Sequence, residues 1–137
     1  RSEGFGKEVK RRIMLGTYVL SAGYYEAYYT KAQKVRRLVR DKTKDVLSKY
    51  DFIISPTTPH SAFDIDANTD DQIKMYLEDI YTVQANLAGI PAISLPLGKD
   101  NNSMPFGIQL MGNAFDEENL LSFSQNLINK FSLIKED

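Results

Sequence analysis

An α/β fold, with helices laid on a sheet, is predicted by three features of this 137-residue sequence. Residues 86–112 hold two apolar runs, Ile90 to Leu97 and Met104 to Met111, separated by the polar segment Lys99 to Ser103. Ile93 and Leu95 fall on one face of the first run, as do Ile108 and Leu110 in the second, and Gly and Pro bracket both. That pattern reads as a buried, hairpin-like strand pair. Asp51-Phe-Ile-Ile, stopped by Ser55-Pro56, reads as a further short buried strand. Apolar residues at intervals of three and four, before this strand and again after residue 116, supply the helices.

Along the chain, Val9, Ile13, Leu15, Val19 and Leu20 predict a helix from Gly6 to about Ser21 with one buried side. Ser21-Ala22-Gly23 breaks it, because Gly costs a helix interior about 1 kcal/mol relative to Ala and suits the position just past a helix end. Tyr25, Tyr28, Ala32, Val35 and Val39 mark a second, long amphipathic helix reaching about Tyr50, with Arg36, Arg37, Arg40 and Lys44 on its other faces. After the strand at Asp51 comes a polar loop, Thr57 to Ser61. Beyond strand C-termini such loops often border ligand sites in open α/β sheets. Asp64 to Asp71 is polar and reads as loop, with Thr69, Asp70 or Asp71 able to cap the next helix. Ile73, Tyr76, Leu77 and Ile80 mark that short helix. Val83, Leu87 and Ala88 mark another, ended by Gly89 and Pro91. Last, Asp116 can cap a helix whose Glu117 and Glu118 complement the N-terminal dipole. Its apolar side, Leu120, Leu121, Leu127, Ile128 and Phe131, should dock on the sheet.

With 42% hydrophobic residues, this length fits one core. The absence of cysteine excludes disulfides, thiolate catalysis and Cys-bound zinc, and a single histidine leaves little for a metal centre. No run approaches eighteen apolar residues, so no membrane role is expected. The first residue is not Met and no signal peptide precedes the helix, so the segment is expected to begin mid-protein. Net charge is −1, yet residues 1–50 carry 13 Lys or Arg against 5 Asp or Glu, and the remainder 4 against 13. A basic half raises the prospect of RNA or an acidic partner near the second helix, where Tyr24, Tyr25, Tyr28 and Tyr29 could stack bases beside Arg36, Arg37 and Arg40. Solvated helix faces and packed tyrosines are the plainer reading, and no RNA-recognition signature is present.

Several stretches resemble the amidase signature family. They are Phe5-Gly-Lys-Glu-Val-Lys-Arg-Arg-Ile-Met-Leu-Gly-Thr, Ala22-Gly-Tyr-Tyr-Glu-Ala-Tyr-Tyr, Ala32-Gln-Lys-Val-Arg, Pro56-Thr-Thr-Pro, Met75-Tyr-Leu-Glu-Asp and the whole of 86–112. The similarity runs from Phe5 to about Phe131, and within the family it is to the glutaminase subunits of tRNA-dependent amidotransferases. It implies a mixed sheet covered by helices, with residues 1–137 as a single C-terminal segment of the amidase domain. It also implies glutamine hydrolysis, with the ammonia used to convert Glu-tRNA(Gln), or Asp-tRNA(Asn), into Gln-tRNA(Gln) or Asn-tRNA(Asn). The B and C subunits of the amidotransferase are the implied partners: the first would activate the misacylated tRNA with ATP and Mg²⁺, and the second, a small protein, would join them. The compartment implied is the bacterial cytoplasm, or an organelle.

The family's serine nucleophile works through a second serine and a lysine, from Gly- and Ser-rich regions N-terminal to this segment. No Gly-Ser-Ser-Gly stretch occurs here, and Ser21, Ser55 and Ser94 lack a local base, so no catalytic residue is expected in these 137 positions. The resemblance implies instead that Arg12, of Lys-Arg-Arg, and Asp79, closing Met-Tyr-x-x-Asp, bind glutamine. A guanidinium fork suits an α-carboxylate, and an ionised carboxylate suits an α-ammonium. His60 has no visible nucleophile and is expected to be structural or solvated. Leu97 stands where many members have cysteine, and Gln84 where proline or serine is frequent; neither is a catalytic position of the family. The alternatives are an amidase acting on another small amide, which would have no amino-acid head group for Arg12 and Asp79 to hold, and a binding module using the basic helix for RNA or a partner.

Overall fold

The computed structural model describes residues 4–63, 65 and 72–134. The chain divides into two units, Arg1–Leu38 and Val39–Asp137. In the first, α1 (Lys7–Val19) begins after an extended Gly6 that offers no side-chain cap. Glu8 compensates from the first turn, where a carboxylate favours the helix dipole. The expected buried side is not formed: α1 has no buried residue, and Ile13, Met14 and Leu15 are exposed because nothing among the described residues of their unit covers them. After the break at 21–24 the chain enters one π-helical stretch, Tyr25–Thr30, and only then α2 (Lys31–Leu47). The tyrosines pack on each other, Tyr18 on Tyr24 (ring centroids 4.3 Å apart) and Tyr25 on Tyr29 (4.9 Å). The i,i+4 placement of Tyr25 and Tyr29, at a spacing aromatic pairs favour, accounts for part of the recurrence of Tyr in the sequence.

The second unit takes in the end of α2, where Thr43 and Leu47 are buried. Its sheet has three strands in the order β1 (Ile53–Pro56), β3 (Pro105–Met111), β2 (Ala92–Lys99), all paired antiparallel. β1 begins two residues later than the apolar run and continues through Ser55 and Pro56. Proline is tolerated there because, among the described residues, β1 pairs with β3 alone. The predicted hairpin is present, with Ile93 opposite Leu110 and Leu95 opposite Ile108. A bulge interrupts it between Pro96 and Gly98, where Pro96 has no N–H to give the ladder.

Leu95, Leu110 and Leu120 form the buried centre, with Phe52, Ile93, Ile108, Leu127 and Ile128 packed around them. Leu120 comes from α5 (Glu117–Ile134), which lies against β2 and β3 as expected. Its inward stripe, buried at Leu120 and Ser124 and partly buried at Leu127 and Ile128, runs at i, i+4, i+7 and i+8. Leu121 lies about 100° round from Leu120 and is exposed, contrary to the sequence reading. Ser124 fits the stripe because its hydroxyl donates to the Leu120 carbonyl (2.6 Å). At the head of the helix Asp116 Oδ1 accepts from the side-chain amide Nδ2 of Asn119 (2.6 Å).

Between β1 and β2 lie α3 (Gln72–Leu77) and α4 (Thr82–Ala88), joined by the turn 78–81. Gly89 ends α4 with φ 70° and ψ 47°, a conformation that favours glycine, and its N–H closes on the Ala85 carbonyl. The expected loop at 64–71, with its candidate caps Thr69, Asp70 and Asp71, lies outside the described residues except for Ile65.

Candidate functional site

The loop that follows β1 is fastened along its length to the hairpin and to the α3–α4 turn. Thr57 N–H donates to the Gly107 carbonyl (3.2 Å), continuing the β1–β3 ladder by one residue. The Thr57 and Ser94 hydroxyls share a hydrogen bond of 2.8 Å across the sheet. Gly107 permits that approach: a Cβ on it would lie 2.7 Å from the Leu95 carbonyl oxygen and 3.2 Å from Ser94 Oγ. The first is a backbone atom that cannot swing aside. Gly107→Ala is therefore expected to destabilise the complete protein by about 1–3 kcal/mol, as overpacking does, read as a lower denaturant midpoint.

Further along, Thr58 Oγ1 donates to the His60 carbonyl (2.7 Å), and Ser61 Oγ donates to Asp100 Oδ2. Asp100 is the organiser of the β2–β3 turn. Its Oδ1 also accepts the backbone N–H of Asn102 (2.8 Å) and of Met104 (2.9 Å). These bonds, the Ser61 hydroxyl foremost, hold its carboxyl below the usual aspartate range. The readable signal for Asp100 was the Asp-Asn-Asn-Ser turn sequence, in which an aspartate bonds its own backbone two residues on.

Asp79 sits in the α3–α4 turn with an exposed side chain. Its backbone is fully used: its N–H donates to the Tyr76 carbonyl (3.3 Å), and its carbonyl accepts the N–H groups of Thr82 and Val83 and the Thr82 hydroxyl, each at 3.1 Å. The carbonyl of Asp79 thus closes the first turn of α4. Two further contacts flank this turn. On one side His60 Nδ1 lies 3.4 Å from Oε1 of the largely buried Glu78. On the other, Gln109 Nε2 donates to the Tyr81 carbonyl (3.0 Å) and to Ser55 Oγ (3.3 Å). Gln109 is 5% exposed. One polar residue within Ile108-Gln-Leu-Met was its sequence signal.

Arg12 belongs to the first unit and Asp79 to the second. On α1, Glu8 holds two guanidinium groups at once: Arg12 Nε donates to Oε1 (2.9 Å) and Arg11 Nη2 lies 2.7 Å from Oε2. The Arg12 bond is the main reason the Glu8 carboxyl is held below the usual glutamate range. Arg12 is solvent-exposed on α1, with its guanidinium engaged by Glu8.

The serines are engaged elsewhere. Ser21 Oγ donates to the Tyr18 carbonyl, Ser55 accepts from Gln109, and Ser94 is paired with Thr57. On α2, Arg40 pairs with Asp41 (3.2 Å) and Lys42 approaches Asp45 (3.9 Å), both exposed and worth little individually. Among the described residues, no three His, Asp or Glu side chains gather as a metal ion would need, and no helix is long and apolar enough to cross a membrane.

A model of the amidase family matches residues 1–121. The chain belongs to the amidase family. Its relatives include the A subunit of the Pelagibacter ubique glutamyl-tRNA(Gln) amidotransferase, 56% identical over 90% of this chain, and that of Brevibacillus brevis, 59% identical over 88%. Those alignments cover 26% and 25% of the relatives, so the chain spans about a quarter of their length. Among solved structures, the A subunit of the Thermotoga maritima glutamyl-tRNA(Gln) amidotransferase is 55% identical and superposes with a TM-score of 0.64, over 82% of this chain and 24% of the other. A crystal structure described simply as an amidase superposes at 0.76 over 95% of this chain and 30% of the other, with 21% identity, and speaks for the amidase fold alone. The α/β architecture read from the sequence is thus that of a portion of an amidase-family structure.

Proposed function

We propose that residues 1–137 are the C-terminal segment of the glutaminase component of a tRNA-dependent amidotransferase, and that their part in the reaction is to bind glutamine. Identity of 55–59% to the glutamyl-tRNA(Gln) amidotransferase A subunits of three bacteria, over 82–90% of this chain, carries the reading. Arg12 takes the α-carboxylate of glutamine by a forked pair of charge-assisted hydrogen bonds, and Asp79 accepts from the α-ammonium. Held at its head group, the amino acid presents its side-chain amide to a serine supplied by the rest of the protein. The ammonia released passes to a misacylated tRNA activated, with ATP and Mg²⁺, by the B subunit, and the C subunit completes the complex. A cytoplasmic translation enzyme is the setting that fits.

The backbone bonding of Asp79 supports this role. A carboxylate on a turn whose carbonyl caps one helix, and which is tied to β3 through Tyr81, is held more rigidly than one on a free loop. The test is the choice of nitrogen donor in the intact complex: after Arg12→Ala or Asp79→Ala, glutamine-dependent product falls while ammonia-dependent product persists. Residues 1–137 alone are expected to release no ammonia from glutamine, since a serine hydroxyl needs a positioned base and oxyanion donors. Turnover by a highly purified sample would overturn that assignment.

A further inference from the structure

We infer that Gln109 is a positioning residue for the ammonium end of the substrate, acting through the turn that carries Asp79. The inference rests on the glutamine-binding reading of Asp79. Gln109 lies on the central strand of the sheet, and its amide is buried. A buried amide in an apolar strand carries a desolvation cost that its hydrogen bonds must offset, and a leucine would pack there without that cost. What the amide gains is specific in direction. Nε2 reaches out of the sheet to the Tyr81 carbonyl at 3.0 Å and sideways to Ser55 Oγ at 3.3 Å.

Tyr81 stands two residues beyond Asp79 and immediately before α4. The sheet therefore has a direct bond to the short turn from which the Asp79 carboxylate projects. Ser55, the other acceptor, sits on β1 just ahead of Pro56 and the loop 57–61. One side chain thus sets the turn and the strand leading into that loop in a common frame with β3. His60, at 3.4 Å from Glu78, closes the same arrangement from the loop side. Without the Gln109 bonds the turn keeps its local helical bonds, from Asp79 to Thr82 and Val83, but loses this tether to β3.

The expected result follows from that geometry. In the intact amidotransferase, Gln109→Met fills the space without donating, and raises the KM for glutamine about tenfold, with ammonia-dependent transamidation and kcat within about twofold of the parent enzyme. Gln109→Glu, similar in shape but presenting an acceptor to the Tyr81 carbonyl, does the same. Unchanged glutamine KM in both variants overturns the inference. If Gln109→Met also loses the ammonia-dependent reaction, the Glu variant decides, and parallel loss of both reactions there reduces Gln109 to a folding role and overturns it too. Asp79→Asn measured alongside separates the two proposals: if it leaves glutamine KM unchanged, the binding role of Asp79 has failed. If it raises KM while the Gln109 variants do not, only the positioning role has failed.

Discussion

On the glutamine-binding role proposed above, Arg12→Ala in the complete enzyme is expected to raise the KM for glutamine by about ten- to a hundredfold while ammonia-supported transamidation stays within about twofold. The magnitude comes from the bonds removed. A hydrogen bond to a charged group is worth about 1.5–3 kcal/mol, and each 1.4 kcal/mol is a factor of ten in affinity. The selectivity comes from chemistry: ammonia has no α-carboxylate, so the step that consumes it never meets the guanidinium. Arg12→Lys should fall between, because an ammonium keeps the charge and loses the fork. Asp79→Ala should give the same pattern through the α-ammonium, and Asp79→Asn should recover part of the loss as a neutral acceptor. The Glu8 contact gives an internal control. Glu8→Gln weakens the charge-assisted bond to Arg12 Nε while leaving the guanidinium in place, and its effect on glutamine KM should be smaller than that of removing Arg12. Equal loss of the glutamine- and ammonia-dependent reactions in Arg12→Ala would assign the residue to folding instead.

The parts of the fold visible in the sequence were those governed by local periodicity. The hairpin was legible because Ile93, Leu95, Ile108 and Leu110 alternate across a two-residue period, and a slip of one position would have turned all four to the other face. Gly89 and the end of α4 were legible because a left-handed backbone favours glycine. The features that escaped depend on what lies opposite. Leu121 looks like core in a list of apolar residues, yet only the docking direction of α5 decides between it and Ser124. The same holds for α1, whose apolar residues predict a buried side that its own unit does not supply. Gln109 acts through Tyr81, 28 residues away, and although the Asp100 turn was readable locally, its bond to Ser61, 39 residues away, was not; no local pattern encodes such pairings. Arg12 and Asp79 came from resemblance alone, since an arginine on a basic helix and an aspartate in an acidic stretch are ordinary by composition.

The docking of α5 carries the second large effect. Leu110 is fully buried on the central strand and clusters with Leu95 and Leu120, so Leu110→Ala removes apolar contact from the centre of the core. The expected cost is about 2–5 kcal/mol, the range for leucine truncated in a packed interior, seen as a lower denaturant midpoint of the complete protein. Leu121→Ala, the same chemical change one residue from Leu120 but on the solvent side of α5, should move stability by no more than about 0.5 kcal/mol within this chain. The contrast matters for function as well as for folding. Ile108 and Leu110 flank Gln109 on β3, with their side chains on the face opposite its own, so the apolar packing on one face of the strand holds in place the amide that reaches the Asp79 turn from the other. On the proposed glutamine-binding role, Leu110→Ala should therefore raise glutamine KM together with its loss of stability, whereas Leu121→Ala should change neither. A Leu110→Ala enzyme with wild-type stability would mean that α5 does not pack on β3 in solution as it does here.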